Sequence, residues 1–226
     1  MKRRFPSSTL LRAKLILCSG PLDAVFTRLW AHARLNELAP SFLVLLHQIM
    51  RASVPLMQCG VQRCYELEPH DPLAKSLASY LSHHTEEEQN HDVWALEDLK
   101  NAGFDPQTAV NQMPSQSVAQ LVGAQYYWIL HHHPVMLLGY IMVLEAFPPT
   151  SSRTDAIRDR SGLPEAAFRT LRMHGELDPH HSAELDEFID SLPLKQTHLD
   201  MIGVSFLNTA LCLVTSVDSL RPVSWP

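Results

Sequence analysis

The chain has 226 residues, of which 46% are hydrophobic and 19% charged, and its formal net charge is −6. That length and balance allow a well-filled core and exclude a disordered chain. An acidic balance without a basic stripe argues against nucleic-acid binding. With only 8 Gly among its residues and apolar positions recurring at helical spacing, the chain is expected to be an all-α protein of seven or more helices. The four cysteines (Cys18, Cys59, Cys64, Cys212) form no CxxC pair and read as reduced thiols of a cytoplasmic protein.

In chain order, residues 1–20 read as a loose or surface-packed arm, since Arg12 and Lys14 interrupt what would be the apolar part of a leader. Residues 21–38 place Leu22, Val25, Phe26, Leu29, Trp30 and Ala33 on one face of an amphipathic helix. A second helix is predicted over 41–66, bent near Pro55, and a third over 72–100, stopped by Gly103 and Pro106. Residues 106–115 read as a connection, with or without one helical turn, followed by helices over 117–131 and 134–146, the second ended by Pro148-Pro149. Shorter helices are predicted over 150–160 and 164–176, with 180–191 either continuing the latter or restarting after Pro179. A helix over 194–220 is apolar on nearly every side. Its uncharged stretch 201–217 is shorter than a bilayer span and reads as a buried member of the bundle, so no membrane association is expected. With no repeat or linker, residues 21–220 read as one domain, followed by a tail over 221–226.

Three stretches carry chemistry. His174, Asp178 and His181 are four and three residues apart, so a helix would project all three from one face. Two imidazoles and a carboxylate there form half of a metal site. The other reading is an ordinary helix start, with Asp178 as N-cap and Pro179 at the first helical position. In Glu86-Glu87-Glu88-Gln89-Asn90-His91, Glu88 lies three residues and Glu87 four residues before His91. A Glu-x-x-His pair is a recurring ligand device of carboxylate-bridged metal bundles. A solvated acidic face is the alternative, and Glu86 is the residue expected to point outward. Glu145 is the single formally charged residue from Ser115 to Phe147. Buried among Leu138, Ile141, Met142 and Leu144 it would need pairing, a proton or a metal. At the surface, before Phe147-Pro148, it would be an ordinary helix-end glutamate. Together Glu88, His91, Glu145, His174, Asp178 and His181 supply three carboxylates and three imidazoles. That set suits iron or manganese better than structural zinc, and six ligands suit two ions. Of the remaining histidines, His131, His132 and His133 read as an exposed helix end. His83 and His84 read as supports for the site or as surface, and His47 as a satisfied core residue bordering the pocket. Tyr65, Tyr126, Tyr127 and Tyr140 are assigned to the core.

On Glu87-Glu88-Gln89-Asn90-His91, on Gly139-Tyr140 leading to Glu145, and on His174-x-x-x-Asp178-x-x-His181, the sequence resembles the haem-oxygenase-like diiron oxidases and oxygenases, often labelled iron-containing redox enzymes. These are relatives of the TenA thiaminases and of pyrroloquinoline quinone synthase. The helix around Met50–Met57 is also similar, and the resemblance covers roughly residues 40–215. It implies a seven-helix bundle whose two Fe(II) ions, or a manganese–iron pair, activate O2. Glu88 and His91 would be ligands from one core helix, Glu145 from another, and His174, Asp178 and His181 from a third. Either Glu87 or Glu88 can reach a metal near His91. Family members oxidise fatty acids, amino acids or amines, and the third core helix is often mobile until iron binds. Gly175 and Pro179 fit that mobility, since both weaken a helix interior. Dimerisation is common in the fold class. A metal-free enzyme similar to TenA or the quinone synthase, and a non-catalytic iron-binding helical protein, are the competing readings.

Overall fold

The computed structural model describes residues 5–222, and within them every element is helical. Eleven α-helices are present among the described residues: α1 (Ser7–Cys18), α2 (Gly20–Ala31), α3 (Leu35–Leu67), α4 (Ala74–Glu87), α5 (His91–Asn101), α6 (Pro106–Asn111), α7 (Gln116–His131), α8 (Leu137–Leu144), α9 (Ser151–Ser161), α10 (Arg169–Ser191) and α11 (Gln196–Asp218). Short 3-10 turns at Pro134–Met136 and Glu165–Phe168 lead into α8 and α10.

The 33-residue α3 runs through the middle of the bundle, with α4, α5, α7 and α9 packed around it. On the other side α11 packs against α7, α8, α1 and α2. By length and composition both α3 and α11 could cross a bilayer; in this fold about half of each apolar window is buried within the bundle (50% and 56%). The approach of α8 to α11 is set by Gly139, where an added Cβ would lie 2.3 Å from the Ile202 carbonyl oxygen and 2.8 Å from the Phe206 nitrogen. Side-chain oxygens close several helix starts: Asp105 accepts from the Gln107 N–H, Ser115 from that of Val118 and Thr150 from that of Arg153.

Four expectations need correction. Residues 7–18 of the presumed arm form a packed helix. Leu11 and Leu15 are buried there, Ser8 Oγ donates to Asp190 (2.6 Å) and Arg12 pairs with Asp186 (2.9 Å) on α10. The remaining parts of the arm and tail, residues 1–4 and 223–226, lie outside the described residues. The single helix predicted over 72–100 is two helices, because Asn90 adopts a left-handed conformation (φ 67°), which asparagine tolerates better than most residues. The helix predicted over 21–38 ends at Ala31, and residues 35–38 belong to the start of α3; of the two alternatives for 180–191 continuation holds, since α10 runs unbroken through Pro179. Of the tyrosines, Tyr140 is buried and Tyr126 partly so, but Tyr65 and Tyr127 are exposed (55% and 63%).

A Gly139→Ala substitution should destabilise the protein by about 2 kcal/mol or more, because both opposing atoms belong to the α11 backbone and cannot rotate away. In a chain of this size that lowers the melting temperature by roughly 4–8 °C. Thermal denaturation followed by circular dichroism checks it, and an unchanged midpoint would contradict the close-packing account.

Candidate metal centre

Six side chains from four segments converge at the middle of α3. The break after α4 brings Glu88 and His91 onto the same site, with His91 Nδ1 3.1 Å from Glu88 Oε2. Glu145 closes the C-terminal end of α8 and is buried, its carbonyl held by the Ser182 hydroxyl of α10 (2.9 Å). His174, Asp178 and His181 project from one face of α10, as their spacing predicts. His181 Nδ1 lies 3.7 Å from Glu88 Oε1 and 3.8 Å from Glu145 Oε1, so it stands between the two carboxylates. The His91 and His174 rings meet edge to face at 5.3 Å between centroids.

Atoms able to ligate a metal fall into two groups, each within 4.8 Å: Glu88, His91 and His174, and His84, Glu145 and His181. Asp178 belongs to neither triple but lines the same cavity as Glu88, Glu145, His84 and His174. All six residues singled out in the sequence are therefore brought together. The one left undecided there is His84, buried and 2.8 Å from Glu145 Oε1 through its Nε2. A usable signal existed: His84 stands four residues before Glu88 on the same helix, and hence on the same face. Of the other histidines, His131 and His132 are exposed, and His47 is buried with its Nδ1–H donating to the Asp92 carbonyl (3.2 Å), outside the cavity lining. Glu86 points outward, as expected.

Two supports fix α10 against the site. Buried Asp98 of α5 accepts from the backbone N–H groups of Arg169 (3.1 Å) and Thr170 (2.8 Å), capping the start of α10. At Gly175 an added Cβ would sit 2.4 Å from the Pro149 carbonyl oxygen, so this glycine is required for the approach of the segment after α8. The His174 Nδ1–H donates to the Thr170 carbonyl (2.9 Å), which leaves Nε2 as the free, unprotonated ring nitrogen.

Electrostatics shows why a cation suits this place. Burial pushes the Asp178 carboxyl up to about 8, and the charges of Glu145 and Glu88 push the same way. Burial likewise raises Glu145, opposed by its His84 hydrogen bond. For His84, burial favours the neutral ring, but the Glu145 hydrogen bond and the nearby Glu145 and Glu88 charges win and raise it to about 9. Burial lowers His174, favouring the neutral imidazole that a metal requires. Three buried polar atoms facing this space, His91 Nδ1, Glu145 Oε2 and His181 Nδ1, make no well-aligned hydrogen bond, His91 Nδ1 despite its 3.1 Å approach to Glu88. An unmet donor set of carboxylate oxygens and imidazole nitrogens fits iron or manganese. The adjoining cavity, about 850 Å³, is walled mainly by apolar side chains such as Phe42, Ile49, Met50, Met57 and Ile141, and opens to solvent.

An all-α bundle holding a buried carboxylate–imidazole centre beside an apolar cavity defines a protein of the haem-oxygenase-like fold. Residues 46–205 match the family model described as "iron-containing redox enzyme", and the chain belongs to that family. It is similar in structure to a domain of unknown function with a heme oxygenase-like fold from Shewanella denitrificans OS217 (TM-score 0.78, 16% identity, covering 96% of this chain and 92% of that one). It is also similar to a TenA homolog from Pseudomonas syringae pv. tomato DC3000 (TM-score 0.71, 9% identity, covering 95% and 92%). No curated protein matches the chain.

The raised Asp178 and His84 groups give the metal-free protein a definite pH response. Between its ordinary value of 3.8 and about 8, Asp178 keeps in the fold a proton that the unfolded chain releases. His84, protonated in the fold up to about 9, acts in the same direction. Stability of the metal-free protein should therefore fall as pH rises from about 5 to 8. Over the same interval metal affinity should rise by about tenfold per pH unit, as each bound ion displaces a proton. Melting curves in chelator and metal titrations across pH check both slopes, and Asp178→Asn should flatten the first.

Proposed function

We propose that this protein is a non-haem diiron oxidase or oxygenase that uses O2 to oxidise a small organic molecule held in the apolar cavity. The observation that carries this reading is the convergence of two buried carboxylates, Glu145 and Asp178, and the half-buried Glu88 with His91, His174 and His181 around unpartnered polar atoms. Membership of an iron-containing redox enzyme family supports it. Glu88, His91 and His174 would hold one ion, and Glu145, Asp178 and His181 the other. Two iron ions would supply the electrons that reduce O2.

The remaining tasks belong to the chain itself. Thr170 fixes the His174 tautomer through its carbonyl, and Asp98 holds the turn that carries both. His84 keeps a proton hydrogen-bonded to Glu145 and can surrender it when a cation takes its place. Phe42, Ile49, Met50 and Met57 exclude water and favour a substrate with an apolar body, in the range of fatty acids, hydrophobic amino acids or amines.

The metal-free alternative, drawn from TenA-like enzymes and the quinone synthase, would need an activated thiol or a basic anion pocket. Burial pushes the Cys64 thiol up to about 12 and also raises Cys59 and Cys212, the opposite of activation.

Anaerobic titration of metal-free protein with Fe(II), followed by O2, tests the reading. About two ions should bind per chain, O2 should be consumed faster than by free Fe(II), and Glu145→Ala or His181→Ala should abolish tight binding. Absence of stoichiometric binding would move the reading to the metal-free enzyme. Tight binding without O2 consumption would make the protein an iron binder only.

A further inference from the structure

Immediately outside the centre, α4 and α10 each present a second histidine–glutamate pair that the proposed chemistry does not use. On α4, His83 Nε2 lies 3.5 Å from Glu87 Oε1; on α10, His180 Nε2 lies 3.1 Å from Glu184 Oε1. Ligating atoms of His83, Glu87 and Glu184 come within 4.8 Å of one another across the two helices. Three of these four residues are sequence neighbours of inner ones: His83 of His84, Glu87 of Glu88, and His180 of His181. One residue turns a helix by about 100°, so the outer set is the inner set rotated onto the adjacent, solvent-facing flank.

Glu87 joins the two. Its Oε1 faces exposed His83, while its Oε2 lies 3.4 Å from His84 Nδ1 and 4.0 Å from His181 Nε2. Both of these inner imidazoles are buried, with 4% of each side chain exposed. One carboxylate therefore has an oxygen in each compartment. Ligands about 2.1 Å from a tetrahedral ion stand roughly 3.4 Å apart, a spacing that His83 and Glu87 already have. His83 is exposed and Glu184 partly so, and both can close the remaining gap by rotamer changes.

We propose that His83, Glu87 and Glu184, supported by His180, form an outer site that captures a divalent transition cation and passes it through Glu87 to the buried centre. The two carboxylates neutralise the ion, and neutral imidazole replaces part of its hydration shell. Rotation of the Glu87 carboxylate about its own torsions then exchanges outer for inner nitrogen ligands without opening the bundle. No bond to carbon changes and no electron is transferred; the ion exchanges water, carboxylate and imidazole ligands only. The relay function rests on the diiron reading, whereas the outer site itself does not.

The test uses the full chain and Co(II) under anaerobic conditions, read by visible absorption and calorimetry. The double variant His83→Ala/Glu184→Gln should fill the buried centre to the same extent as the unmodified protein, about tenfold more slowly, since a charged capture site raises the local cation concentration. In a Glu145→Ala/His91→Ala background, where the buried site is disabled, one weak equivalent should remain and should vanish on adding His83→Ala. Circular dichroism confirms that each variant is folded. Equal loading rates would overturn the relay while leaving the diiron reading intact. Loss of all binding in the disabled background would overturn the outer site. If the unmodified protein bound only the weak, His83-dependent equivalent, the outer site would stand and the buried diiron centre would fall.

Discussion

Crowding three carboxylates, two of them buried, around one cavity is the constraint on which the rest of this structure depends. Glu88, Glu145 and Asp178 line a common cavity, and burial, reinforced by the charges of Glu145 and Glu88, raises Asp178 to about 8. Without a cation the site is held by compromises. Asp178 keeps a proton, Glu145 leans on His84, and His91 and His181 are left with unsatisfied nitrogens. Each compromise is removed by the same agent, a cation bound among the oxygens and nitrogens. Such an arrangement costs stability, because apolar residues in place of the carboxylates would remove the desolvation and repulsion.

The architecture serves that centre in identifiable ways. The left-handed turn at Asn90 ends α4 just beyond Glu88 and restarts the chain at His91, so the pair straddles a break where regular geometry would have kept them on one helix. Asp98 anchors the start of α10, the bare Cα of Gly175 admits the Pro149 carbonyl, and the Ser182 hydroxyl holds α10 to the Glu145 carbonyl. Trp94 stacks on His91 at 3.9 Å and carries the Arg169 guanidinium 5.0 Å from its ring, so that the α5–α10 junction also orients that imidazole.

Much of this was legible in the residues. Spacing alone places His174, Asp178 and His181 on one face, and the isolation of Glu145 in an apolar run marks it as buried; both hold in the fold. Periodicity finds the long helices but not their joints. Helical propensity runs smoothly through Glu86–Asn90, and only the left-handed Asn90 shows the break. Gly175 and Pro179 read as weak points in a helix, yet α10 is continuous there and Gly175 is a matter of close packing, which depends on a segment more than twenty residues away. His84 stood at the right spacing beside Glu88, but burial decides between it and its neighbour His83, and burial follows from the assembled bundle. The amphipathic pattern of Leu11 and Leu15 was obscured by Arg12 and Lys14, whose positions make sense once Asp186 is found opposite Arg12.

The central claim is that two ions occupy the space these side chains enclose. Anomalous diffraction at the iron edge from crystals loaded anaerobically with Fe(II) measures this directly. The account predicts two peaks roughly 3.5–4 Å apart, one beside Glu88, His91 and His174 and the other beside Glu145, Asp178 and His181. A single peak, or iron found only elsewhere on the chain, would contradict it.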